Sequence, residues 1–390
     1  MIYLTSGESH GQELTVILNQ IPSGIAIDID YINNELKRRQ SGYGRGGRMK
    51  IETDQAEIVS GARFGKTTGA PLTMKIKNKD WQNWTEKMAV LKKYKIPKLT
   101  MPRPGHADYA GLMKYYDDDI RNILERASAR ETTAQTAAGA LIKSALKENF
   151  KIEIFSHTIA IGNIFINKSY TLDDLQKIYN DEVLRCIDKI VEKKMIDLIE
   201  KTKKRGDTLG GIFEVIALNI IPGLGSFIQY TNKLDAKLAA AILAIQGIKG
   251  IEFGAGFDGV RKFGSQFHDE FDLSKQKKII RKSNNAGGIE GGMSNGCNIV
   301  FRAAMKPIPT LMSALQSVDL EDCKIKKAIV ERSDVCVVPA AGVVAEAVTA
   351  LTLFNIILEE FGYDNIKLIR KRYFDKLKLL EKKYKFSFYN

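Results

Sequence analysis

The sequence predicts one large α+β domain, and three observations carry that expectation. The chain has 390 residues, 44% hydrophobic and 27% charged, enough to bury a large core. Strand-like and helix-like segments alternate along it with no low-complexity linker and no repeat of fixed period. Long stretches are dense in alanine, whose small side chain lets a helix pack closely at the centre of a fold. The expected division is a single unit over residues 1–366, followed by a basic helix or tail over 367–390.

The elements follow in order. Val16-Ile17-Leu18 and Ile25-Ala26-Ile27 read as short strands around the turn Pro22-Ser23-Gly24. Tyr31 to Arg39 reads as a helix, with Asp30 as N-cap and Ile32 and Leu36 on one face. Ala56–Ser60 and Leu72–Ile76 read as strands flanking Gly61–Gly69. Leu124 to Phe150 reads as a central helix carrying Ala134, Ala137, Ala138, Ala140 and Ala145. Ser128-Ala129-Arg130-Glu131 has the capping-box pattern that would start it, which puts Arg126 and Arg130 beside a helix N-terminus where an anion is favoured. Thr171-Leu172-Asp173-Asp174 is a second such pattern, leading to Leu175 and Ile178. Ile187, Ile190, Val191 and Leu198 mark an amphipathic helix ending before Arg205-Gly206-Asp207. Gly211 to Ile221 reads as a strand, Leu234 to Ile245 as an alanine-rich helix, Gly342 to Phe361 as a long apolar helix after Pro339, and Lys367 to Lys385 as a basic amphipathic helix.

The net charge of +13 favours an anionic partner, whether nucleic acid, membrane surface or phosphorylated metabolite. Much of it is lysine in helical stretches, where a solvated face is the plain explanation. Cys186, Cys297, Cys323 and Cys336 show no CxxC spacing and no paired histidine, which speaks against zinc sites and disulfide frameworks; no metal is expected. The N-terminus lacks the basic and apolar regions of a signal peptide, and runs such as Ala239–Ile245 are too short to span a bilayer. A reduced, cytoplasmic protein is expected.

Two of the four histidines sit in glycine-bounded polar turns: Gly7-Glu8-Ser9-His10-Gly11 and Arg103-Pro104-Gly105-His106-Ala107-Asp108. Histidines so placed suit proton transfer near neutral pH. The segment Arg38-Arg39-Gln40-Ser41-Gly42-Tyr43-Gly44-Arg45-Gly46-Gly47-Arg48 offers four arginines that can grip phosphate or carboxylate, although its composition also resembles an RNA-binding segment. Asn284 to Gly296 is too glycine-rich for a helix or central strand and suits backbone lying flat on a planar or anionic ligand. Gly254-Ala255-Gly256-Phe257-Asp258-Gly259 fits GxGxxG, but no apolar helix follows it, which argues against a dinucleotide site. Gly61 to Thr67 is one residue short of a P-loop.

Together with Arg126-Ala127-Ser128-Ala129-Arg130-Glu131-Thr132, Gly206-Asp207-Thr208-Leu209-Gly210-Gly211 and Arg332-Ser333-Asp334, the two histidine turns and Asn284–Gly296 resemble the chorismate synthase family in content and order. The resemblance implies a β-α-β sandwich assembled as a homotetramer. It also implies a lyase that converts 5-enolpyruvylshikimate 3-phosphate to chorismate and phosphate by anti-1,4 elimination, the last step of the shikimate pathway. The family requires reduced FMN, with NADPH a possible flavin reductant. Carried over, His10 would protonate the departing phosphate. His106 would protonate or hydrogen-bond the reduced flavin, and Asp334 would assist hydrogen removal through flavin N5. Arg39, Arg45, Arg48, Arg103, Arg130 and Arg332 would meet the anionic groups, with Arg39 and Arg45 alternatively contacting NADPH. Flavin contacts would fall on Arg126, Ala127, Ser128, Gln246, Gly247, Gly291, Lys306, Pro307, Ile308, Pro309, Thr310 and Arg332. The chain departs from many members at Ala340, where they have arginine, and at Gln246-Gly247, where they have Asn-Ala. No nucleic acid or membrane is implied. The competing expectation is a nonenzymatic RNA binder using Arg38–Arg48 and the basic tail.

Overall fold

The computed structural model describes residues 1–46, 53–167, 169–330, 334–386 and 388. Strands β1 (Ile2–Ser6), β2 (Glu13–Asn19), β3 (Ala56–Ser60) and β4 (Leu72–Lys77) form an antiparallel sheet in the order β1-β2-β4-β3. Strict alternation builds its inner face: Leu14, Val16 and Leu18 on β2 and Leu72, Met74 and Ile76 on β4 are all buried. A second antiparallel sheet contains β5 (Glu153–Ile161), β6 (Ile164–Phe165), β7 (Gly211–Leu218), β8 (Ile248–Phe253) and β9 (Ile299–Met305), in the order β8-β9-β7-β5-β6.

Between the sheets lie α1 (Ile29–Gln40), α4 (Thr132–Phe150) and α8 (Val338–Phe361). Ahead of α4 come the short helices α2 (Asp108–Tyr115) and α3 (Arg121–Ala127); α5 (Leu172–Ile178), α6 (Lys189–Lys204) and α7 (Leu234–Leu243) follow it, and α9 (Ile366–Tyr384) ends the chain. Helix α4 packs on β2 and β4, and α8 packs on β5 and β7, while α1, α4 and α8 pack against one another. The result is a sheet–helix–sheet sandwich, as expected. By length and composition α8 could cross a membrane, yet 89% of its most apolar window is buried inside the fold. Ile369, Tyr373 and Leu377 lay one face of α9 on the same core.

The helical layer contains a buried ionic cluster. Arg38 bonds Glu35 at 2.8 Å and Glu346 at 2.9 Å, Lys143 bonds Glu35 at 3.1 Å and contacts Glu346, and Ser156 donates to Glu346 at 2.6 Å. Each charge is paired, which such burial demands. Arg185, also buried, donates to the Arg38 carbonyl at 3.0 Å and the Pro339 carbonyl at 3.1 Å, tying the end of α1 to the start of α8.

Several local expectations are corrected. Ile25–Ile27 forms no strand, because its backbone is taken by the Gly61–Gly69 excursion: Ile25 N–H donates to Thr67 Oγ1 at 3.0 Å, and Ala26 only bridges Lys66. The cap of α1 is Asp28, accepting from Tyr31 N at 2.9 Å, and Asp30 lies within the helix. The predicted helix over Leu124–Phe150 is broken at Ser128. That side chain caps a short 3-10 turn over Ala129–Glu131, and the Glu131 carboxylate, instead of closing a capping box, accepts from Thr5 Oγ1 at 2.8 Å and Gln135 Nε2 at 3.1 Å. Asn219, with φ +61°, ends β7 short of Ile221. The Thr171–Asp174 capping box forms as predicted.

Candidate functional site

A cavity of about 430 Å³ opens at the edge of the helical layer. Its lining includes His10, Arg39, Arg45, Arg103, His106, Ala127, Ser128, Arg130, Gln246, Gly247, Lys306, Ile308, Pro309, Thr310 and Asp334, residues drawn from turns far apart in sequence. Among the described residues, five cationic side chains and one carboxylate line it, and Leu124, Ile245, Met305, Val337, Ala340, Ala341 and Val344 supply apolar wall. The balance suits a polyanionic ligand with an apolar body.

His10 follows β1 in a turn pinned by Gly7, whose φ of +99° and close approach to the Glu13 carbonyl exclude a side chain. Ser9 N–H donates to the Glu125 carbonyl at 3.0 Å. The Glu125 carboxylate takes His10 Nδ1 at 2.9 Å and His10 N–H at 3.0 Å, and Arg121 donates to it at 3.0 Å. Trp84 stacks on the imidazole, with centroids 3.8 Å apart and planes at 24°. Burial pushes the Glu125 carboxyl up, but the His10 contacts and the Arg121 charge outweigh it and hold it below the usual carboxylate range.

His106 repeats this plan. Its Nδ1 contacts Asp108, the first residue of α2, and Arg103 Nε donates to the same carboxylate at 2.9 Å. Asp108 is fully buried. Burial alone would raise it; the hydrogen bonds from His106 and Arg103 bring it well below an ordinary aspartate.

The arginines are held by carboxylates and by neutral oxygen acceptors around the cavity. Arg130 bonds Asp54 at 2.7 Å and Asn78 at 2.8 Å, and Asn78 reaches the Gly11 carbonyl at 2.6 Å, so the anion set and the His10 turn share one network. Arg45 pairs with Asp334 at 3.3 Å, and Gly46 N–H donates to the same side chain. Arg39 donates to Thr132 Oγ1 at 2.9 Å and the Ala129 carbonyl at 3.0 Å. Its Nη1 has no hydrogen-bond partner among the described residues, only Asp54 at 3.7 Å. Burial, with Arg130 and Arg45 close by, pulls this guanidinium down to about 9 against the attraction of Asp54 and Asp334. It remains charged at neutral pH, and an anion in the cavity would relieve the cost.

A family model described as chorismate synthase matches residues 1–358. A relative named chorismate synthase from Alkaliphilus metalliredigens (strain QYMF) is 51% identical over 373 residues, covering 94% of this chain and 97% of the relative. The chain belongs to the chorismate synthase family. A further relative of the same name, from Geotalea uraniireducens (strain Rf4), is 50% identical over 381 residues, covering 95% of this chain and 97% of the relative. A solved structure titled as the crystal structure of chorismate synthase superposes with a TM-score of 0.78 at 40% identity, covering 98% of each chain. The chorismate synthase family fold is thus the fold seen here, and the reaction is that of a shikimate-pathway lyase forming chorismate.

Nothing in these matches supports RNA binding, and the geometry gives a reason: Arg38 and Arg39 are buried in α1, and Arg38 is consumed by Glu35 and Glu346. Arg48 and Arg332 lie outside the described residues. Arg126, Gly291 and Pro307 do not line the cavity; Arg126 is bonded to the Thr5 and Gly7 carbonyls, each at 3.0 Å. The sequence reading passed over Glu125, Asp108, Asp54, Asn78 and Trp84. Asp108 stood in the quoted histidine motif, and Glu125 lies four residues after Arg121 on one helix face; Asp54 and Asn78 carried no signal.

A flavin ring needs an apolar slot with a few polar partners. The cavity has that wall, and Gln246 Oε1 in its lining is buried without a hydrogen-bond donor among the described residues, while Gln246 Nε2 is bound to Glu131 at 3.1 Å. Ala340 adds apolar wall. These residues fit a flavin.

Proposed function

We propose that this chain catalyses the reduced-FMN-dependent anti-1,4 elimination of phosphate from 5-enolpyruvylshikimate 3-phosphate, as a carbon–oxygen phospholyase. The single observation behind this reading is the cavity that gathers both turn histidines, four arginines and Asp334 around an apolar slot. Reduced FMN, when bound, would supply transient electron density that helps the allylic phosphate leave. Ala127, Ser128, Gln246, Gly247, Lys306, Ile308, Pro309 and Thr310 would hold it, with Gln246 Oε1 offering an acceptor. His10 gives its proton to the leaving phosphate. His106, held by Asp108 and Arg103, donates a hydrogen bond to the cofactor edge. Asp334, steadied by Arg45, assists hydrogen removal. Arg39, Arg103 and Arg130 orient the anionic groups by charge-assisted hydrogen bonds. The same reading carries a cytoplasmic homotetramer, with Arg39 and Arg45 as alternative NADPH contacts.

An anaerobic assay with chemically reduced FMN tests it. One equivalent per site is expected to support many turnovers without NADPH, because substrate and products have the same overall oxidation level. Oxidised FMN alone should give no product. Chorismate that stops at one equivalent, with oxidised flavin appearing in step, would make the flavin a stoichiometric reductant and overturn the reading.

A further inference from the structure

We infer that Glu125 is a positioning residue that fixes the tautomer of His10, and that Trp84 completes its cradle. The inference rests on the elimination proposed above. Glu125 is buried, with 2% of its side chain exposed, and is held below the ordinary carboxylate range, so it is an acceptor only. Both of its oxygens lie within reach of His10 Nδ1, at 2.9 and 3.2 Å, and one also takes the His10 backbone N–H at 3.0 Å. A carboxylate can bind Nδ1 only if Nδ1 carries a proton. The neutral ring is therefore the Nδ1–H tautomer, with its lone pair on Nε2. Proton exchange with a ligand in the cavity then runs through Nε2. Arg121 stops the carboxylate from rotating away, and the stacked indole of Trp84 stops the ring from tilting. In the elimination, His10 Nε2–H gives its proton to a phosphate oxygen and the ring becomes this neutral Nδ1–H form; recovery of one proton from solvent at Nε2 resets it. No redox partner is needed at this step.

The chain has only four histidines, so selective 15N-histidine labelling of the full-length protein resolves each ring by NMR. Native His10, in its neutral form, is expected as Nδ1–H. In Glu125→Gln the amide can donate to Nδ1, and Nε2–H should become the major form. That variant is expected to lose about 100-fold or more in kcat, in line with a misoriented acid–base group. Its KM for 5-enolpyruvylshikimate 3-phosphate should change by less than about threefold, because ground-state binding is untouched. Glu125→Asp keeps the carboxylate, so it should keep the native tautomer and lose less kcat. Native His10 found as Nε2–H would overturn the inference, and this holds even if Glu125→Gln fails to fold. So would Glu125→Gln with kcat within about threefold of native, or with low kcat and an unchanged tautomer. If the native protein forms no chorismate while His10 is Nδ1–H, the proposed reaction fails and the tautomer assignment stands.

Discussion

At the residue scale, both cavity histidines follow one construction: an imidazole Nδ1 on a buried carboxylate that an arginine also holds. Asp108 makes this testable through acid stability. Its carboxyl is lowered in the folded chain, by His106 and Arg103 against the opposing effect of burial. A lowered carboxyl stabilises the fold fully above its unfolded value of about 3.9, and the contribution drains away as pH falls toward the folded value. Melting temperature should therefore drop steeply below about pH 4, a window that Glu125 shares. Asp108→Asn should lose about 3–5 kcal/mol of stability at pH 7, as for a buried pair losing one partner, and show a shallower acid slope. Calorimetry across pH 2–7 that gave parallel curves for the two proteins would assign Asp108 no such role.

At the element scale, the helical layer is set by close approach and by charge. Gly139 on α4 meets α8 so tightly that a Cβ would lie 2.4 Å from the Ala347 Cβ and 2.5 Å from its carbonyl oxygen. Helix propensity alone predicts that Gly139→Ala stabilises by about 1 kcal/mol. Packing predicts the opposite, because neither backbone can yield cheaply in a filled core. We expect a net loss of about 1–3 kcal/mol in chemical denaturation; a gain would mean that the two helices can separate at no cost. The alanines of α4 were readable as a central helix, and the apolar length of α8 as a long apolar helix. Their contact through a glycine was not, because it depends on which faces the tertiary fold brings together. The ionic cluster of Glu35, Arg38, Lys143 and Glu346 was hidden for the same reason: its members come from three helices.

At the scale of the whole molecule, the outer face of the first sheet leaves Ile2, Leu4 and Ile17 exposed, with Leu4 and Ile17 paired across β1 and β2, and β1 is an edge strand. Phe257, Val260 and Phe263 form further exposed apolar surface. Exposed edges and apolar patches of this kind call for cover. The proposed homotetramer would supply it. Light scattering coupled to size exclusion should give the mass of four chains; a stable monomer at micromolar concentration would remove the tetramer from the reading.

The sequence by itself determined the kind of protein: the α+β class, the two histidine turns, and an ordered set of motifs specific enough to name a family. Those features are local, since a turn needs its glycines nearby and a helix its own apolar period. The tertiary structure decided where the described motif residues stand. It tied Arg38 into the buried ion cluster and put Arg39 on the cavity wall, though they are neighbours on α1, because successive side chains on a helix point about 100° apart. It split the predicted long helix at Ser128, because Ser128 caps a 3-10 turn and the Glu131 carboxylate is claimed by Thr5 and Gln135. It also brought Glu125 to His10 and Asp54 to Arg130 across 115 and 76 residues of chain. Partners that distant leave no spacing to read; the requirement that every buried charge be paired is met only once the chain has folded.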